Sequence, residues 1–66
     1  MNREEVVEYI KDVIESKYAG LQVAFAQDNG LSTAYVNDVL KGRRDPGKKI
    51  LDAVGIERVV TYRVKG

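Results

Sequence analysis

Four glycines set the limits on this chain. Gly20, Gly30, Gly42 and Gly55 each close a segment whose apolar residues recur at helical spacing. A helix end favours a residue that reaches positive φ without a Cβ clash, and glycine is that residue. In 66 residues this punctuation leaves room for short helices joined by tight turns and for one small core. The spacing predicts helices over about Arg3–Lys17, Leu21–Asn29, Thr33–Lys41 and Pro46–Val54.

Each segment carries its own local signals. In the first, Val6, Val7, Ile10, Val13 and Ile14 share one face. Glu4 and Glu5 near its start and Lys17 at its end suit the helix dipole. Its opposite face is acidic. The second helix turns Phe25 and Ala26 inward, and Gly20 is the candidate cap at its start, since Leu21 offers no capping oxygen. Ser32 is the natural cap of the third, where its hydroxyl can accept from first-turn amides. Asp45 followed by Pro46 predicts the start of the fourth, with Ile50, Leu51 and Val54 facing the core. Val59-Val60-Thr61-Tyr62-Arg63-Val64 is β-branched, aromatic and alternating, and reads as the one strand.

Composition removes several classes of chemistry. The chain has no Cys and no His, so no disulfide, thiol nucleophile, imidazole base or usual zinc site is expected. No cofactor, metal or small-molecule ligand is expected. No glycine-rich nucleotide loop is present, and a chain this small has little room for a deep pocket, so an enzyme is not expected. The apolar runs are too short to span a membrane, and the charged start Met1-Asn2-Arg3-Glu4-Glu5 lacks a signal peptide's apolar stretch. A cytoplasmic setting, nucleoid-associated in a bacterial host, is the expectation. Net charge is only +1, but it is unevenly distributed. Residues 1–30 hold three Lys/Arg against six Asp/Glu, whereas residues 31–66 hold eight against four. A two-faced molecule of this kind can meet a polyanion with one side.

The stretch Leu21 to Pro46 reads as helix, glycine turn, helix, glycine stop and basic loop, the layout of a helix-turn-helix. The series Gln22, Ala26, Gly30-Leu31-Ser32, Val36, Val39, Gly42-Arg43-Arg44 and Pro46 resembles the lambda-repressor and Cro class of phage and bacterial regulators. The likeness is close over about half the chain and loose over most of the rest. The expected fold is therefore mainly α: one four-helix, helix-turn-helix domain over residues 1–66, lambda-repressor-like, with a C-terminal β-strand (59–64) paired across a dimer. The expected function is sequence-specific binding of double-stranded DNA, as a Cro-like repressor with the third helix in the major groove. Repression is favoured over activation because no separate ligand-sensing domain is expected.

Projected at about 100° per residue, the third helix turns Val36, Val39 and Leu40 one way and Ala34, Asn37, Asp38 and Lys41 the other, with Thr33 at the flank. Asn can pair bidentately with adenine, Asp can accept from the cytosine amino group, and Thr or Ala can touch a thymine methyl. In the resembling family the positions of Thr33, Ala34, Asn37 and Asp38 read bases, that of Gln22 anchors to a phosphate, and that of Lys41 is a frequent phosphate contact. Asp38 brings negative charge toward DNA and has the alternative of pairing with a nearby Arg or Lys. Tyr35 either donates its hydroxyl to a phosphate or covers the edge of the core. Arg43, Arg44, Lys48 and Lys49 join Lys41 as five cations within nine residues, suited to phosphates.

The strand has no evident partner in the chain. A second copy, antiparallel across a two-fold axis, would supply one through Val60, Tyr62 and Val64; the other course is a tail that folds back or stays disordered. The expected partners are a palindromic operator and a second copy of the chain. The rival function is protein interaction on the same fold, as an antitoxin-like or adaptor protein, which should show an apolar groove on the second and third helices.

Overall fold

The computed structural model describes residues 1–58 and 62–65. Four helices lead into a small antiparallel hairpin: α1 (Arg3–Tyr18), α2 (Gln22–Asp28), α3 (Thr33–Leu40), α4 (Lys48–Ala53), β1 (Ile56–Arg58) and β2 (Tyr62–Val64). No helix among the described residues is long and apolar enough to cross a membrane.

α1 begins with a reciprocal cap. The Asn2 side chain accepts from the Glu5 amide at 2.9 Å, and the Glu5 carboxylate accepts from the Asn2 amide at 3.0 Å. Val6, Ile10 and Ile14 form its buried stripe, while Val7 and Val13 flank it half-buried. The stripe meets Phe25 and Ala26 of α2, Val36 and Val39 of α3, Ile50 and Leu51 of α4, and Val54 and Ile56 beyond it. Tyr18 ties α1 to α2: its ring meets Phe25 edge-on at 5.5 Å and its hydroxyl donates to Asp28. That bond to a carboxylate raises the Tyr18 pKa above its ordinary value.

α2 ends in a six-to-one bond from the Leu31 amide to the Ala26 carbonyl at 2.8 Å, with Gly30 at φ +67°. Ser32 then caps α3 as expected, its hydroxyl accepting from the Tyr35 amide at 3.1 Å. α3 ends in the same way: the Gly42 amide reaches the Val39 carbonyl at 3.1 Å, and the Arg43 amide reaches Asp38 at 2.9 Å.

Three expectations need correction. Gly20 does not cap α2: with Ala19 it forms the left-handed exit from α1, and Leu21 is the cap residue, without a side-chain bond. α4 starts two residues later than expected, at Lys48 with Gly47 as cap. Asp45 is instead drawn to Arg3, whose guanidinium lies 3.0 Å from its carboxylate, and Pro46 is buried.

The third correction concerns the strand, which has a partner inside its own chain. β1 pairs with β2 in the register Ile56↔Val64, Glu57↔Arg63 and Arg58↔Tyr62. The chain turns out of α4 through Gly55 and buries Ile56, so Ile56–Arg58 arrives alongside Tyr62–Val64. One edge of the strand expected to pair with a second copy is thus paired within the chain. Tyr62 packs against the core of its own chain, Val64 is 46% exposed, and Val60 lies outside the described residues.

Candidate nucleic-acid interface

α3 presents Thr33 and Ala34 exposed, with Lys41 exposed directly after its last residue and Asn37 and Asp38 half-buried beside them. This follows from its period: Val36 and Val39 are buried in the core, so the opposite side faces out. The side chains expected to read bases therefore share one face.

One flank of that face is the α1–α2 side. Gln22, at the first turn of α2, lines a shallow groove together with Asn37, Lys41, Lys11 and Glu15. Packing of α2 against α3 across the Gly30 turn brings together Gln22 and Asn37, which lie 15 residues apart.

The other flank is the loop between α3 and α4. Because the Arg43 amide is bonded back to Asp38, the loop folds over the last turn of α3. The Asp38 carboxylate then faces Arg43 at 3.8 Å and Arg44 at 4.0 Å. Pairing with arginine, one of the two courses open to Asp38, is thus present in the chain by itself. The Arg44 guanidinium also lies over the Tyr35 ring, 5.8 Å from its centroid. The Tyr35 hydroxyl accepts from the Gly47 amide at 2.7 Å, and its ring packs against the core. The covering role of Tyr35 is realised, and its hydroxyl proton remains available for donation.

The remaining cations are differently engaged. Lys49 donates to the Gly30 carbonyl at 3.0 Å, so α4 is fastened to the α2–α3 turn. Lys48 lies 3.7 Å from Asp52, one helical turn on. Asp52 also accepts from Lys65 at 3.0 Å, and this bond holds its pKa below the ordinary carboxylate value, with Lys48 adding to the effect. Among the described residues Lys41 makes no ion pair.

Arg3 was not foreseen. Its guanidinium donates to the Gly42 carbonyl at 2.6 Å and pairs with Asp45, so the start of α1 clamps the basic loop. No local pattern signals such a contact, because its partners lie about 40 residues away. The acidic side of α1 reaches the same region: Glu4, Glu8 and Asp12 line an open groove that extends to Leu40, Lys41 and Gly42, so acid flanks the end of α3. The cause is that α1 packs on α3 as well as on α2. Leu21 and Val23, at the start of α2, are 62% and 52% exposed. No group of His, Cys, Asp or Glu among the described residues is arranged to hold a metal ion. Compared with known protein families, curated proteins and solved structures, the chain matches none.

Proposed function

We propose that this chain is a sequence-specific, double-stranded-DNA-binding transcriptional regulator of the lambda-repressor and Cro-like kind, acting as a repressor. In this reading α3 enters the major groove. Thr33, Ala34, Asn37 and Asp38 meet base edges, while Gln22, Tyr35, Lys41, Arg43, Arg44, Lys48 and Lys49 meet phosphates. The observation that carries it is the two-sided frame around one exposed helix face: Gln22 on one flank, and Arg43 and Arg44 on the other. A helix lying in a groove has a phosphate strand on each side, and this frame offers each strand a donor. A homodimer completes the reading by presenting two such helices to a palindromic site.

The test is binding to duplexes selected from a random pool, followed across a salt series. Affinity should fall steeply with salt, with a log–log slope of about −0.9 per phosphate neutralised. Asn37→Ala should relax preference at one base pair and cost about 1–3 kcal/mol on the best site. Arg44→Ala should weaken all duplexes about equally. Binding indifferent to salt, or a uniform loss from Asn37→Ala beside a base-specific loss from Arg44→Ala, would reject this arrangement.

A second reading is favoured by two specific observations. Leu21 and Val23 expose apolar surface at the start of α2, beside Gln22, and the acidic groove along α1 would repel a duplex. Both features suit a protein partner, as in an adaptor or antitoxin-like role. Failure to bind any duplex at low salt, with Leu21→Ser abolishing capture of a protein partner, would support it.

A further inference from the structure

A carboxylate in the middle of a surface that meets phosphates needs a physical account. The exit turn of α3 supplies the geometry. Its six-to-one bond, from the Arg43 amide to the Asp38 carbonyl at 2.9 Å, folds the chain back over its own last turn. Arg43 and Arg44 are thereby delivered to the Asp38 side chain at 3.8 and 4.0 Å. These are loose ion pairs, and the arginine side chains remain 68% and 64% exposed. Exposed pairs of this geometry are weak, whereas a phosphate accepts short, bidentate bonds from a guanidinium. A phosphate can therefore take the place of Asp38.

We propose that Asp38 is the built-in counterion of Arg43 and Arg44, a carboxylate that an incoming phosphate must displace. Where the phosphate belongs to a duplex, a step that rests on the proposed DNA-binding reading, Asp38 also acts on specificity. Once released, it stays on the α3 face beside Asn37. An ionised carboxylate only accepts hydrogen bonds, and in the major groove only the amino groups of cytosine and adenine donate. Each base pair presents one such donor, on its cytosine or adenine side, so a duplex that turns the guanine or thymine side toward Asp38 leaves the displaced carboxylate unsatisfied. Asp38 then weakens binding to wrong sequences more than to right ones.

The test uses the full chain, wild type and Asp38→Asn, with two probes: inorganic tripolyphosphate, and duplexes both random and selected. Thermal melting verifies that each variant is folded. Asp38→Asn should bind tripolyphosphate about three- to tenfold more tightly, the range expected for freeing two exposed guanidiniums. The gain should disappear when Arg43 and Arg44 are both changed to Gln. On DNA, Asp38→Asn should tighten random duplexes by a similar factor and reduce the ratio of selected to random affinity. An unchanged or weaker affinity for tripolyphosphate overturns the counterion assignment. So does a gain that persists without the two arginines, because it would reflect net charge alone. A tripolyphosphate gain with no duplex bound by either protein supports the counterion pair and rejects the DNA-binding reading separately. A tripolyphosphate gain with an unaltered duplex ratio overturns the specificity role.

Discussion

Tyr35 joins three parts of the molecule through one side chain. Its ring covers the core edge, its face carries Arg44, and its hydroxyl accepts the Gly47 amide that precedes α4. The close approach has a consequence at Gly47, whose φ is ordinary, so an added side chain costs no backbone strain there. A Cβ at that position would stand 2.9 Å from the Tyr35 hydroxyl oxygen, closer than van der Waals contact allows. Gly47→Ala should therefore destabilise the fold by displacing the tyrosine. Tyr35→Phe should cost about 1–3 kcal/mol by leaving the part-buried Gly47 amide without its acceptor. The two effects act on one contact, so the double variant should lose clearly less stability than the two single losses added together. Thermal or urea melting of the four proteins measures this directly. Strict additivity would show that the hydroxyl does not limit the approach at Gly47.

At the scale of the element, the turn between α2 and α3 is the most readable feature. Gly30 holds φ +67°, a conformation that a β-branched residue resists. Gly30→Val should lower stability by about 1–2 kcal/mol or more, since its Cβ also comes within 3.3 Å of the Lys49 ammonium that fastens α4 to the turn. An unchanged melting temperature would contradict the turn. α3 was equally legible: Ser32 caps it, and the spacing of Val36 and Val39 determines which side faces out. These features are governed by neighbours in sequence. The start of α4 was misread because Asp45-Pro46 is a local start signal overridden from a distance, by Arg3 on the first helix. β1 was missed because three residues directly after a helix end carry too short an alternation to register. The candidate site divides in the same way. Its exposed face follows from periodicity, whereas the pairing of Asp38 with Arg43 and Arg44, the clamp by Arg3 and the contact of Lys49 with Gly30 all depend on how the loops close.

At the scale of the whole molecule, the hairpin holds the tail and carries the edge on which the proposed dimer depends. Asp52 fastens the tail to α4 through Lys65, and the same bond lowers its pKa below the ordinary carboxylate value. A carboxylate whose pKa is depressed by folding adds stability above its unfolded value and loses it as pH falls through the folded one. The melting temperature should therefore drop in acid below about pH 4, and Asp52→Asn should flatten that drop; an identical acid limb would show that the tether contributes nothing. The outer edge of β2 bears on the proposed dimer. The Lys65 amide bonds to the Gly55 carbonyl at 2.7 Å, so alternation along an antiparallel pair leaves Ile56 and Val64 opposite each other without mutual bonds. The amide and carbonyl of Val64 then point away from β1, along the edge where the Met1 amine meets the Tyr62 carbonyl at 2.9 Å. In the proposed dimer this edge pairs with its two-fold copy, displacing the Met1 contact, and the exposed Val64 gains apolar cover. Proline is tolerated on an edge strand where the amide it removes is not part of the ladder. Val64→Pro should thus keep the hairpin and the monomer fold but block the added strand. Sedimentation equilibrium should show wild type as a dimer at tens of micromolar and Val64→Pro as a monomer with a nearly unchanged melting curve. On DNA, the variant should lose the advantage of a palindrome, whose half-sites lie about 34 Å apart, and bind single half-sites as well as wild type does. Wild type that stays monomeric at high micromolar concentration, or Val64→Pro that dimerises as readily, would rule out pairing through this edge.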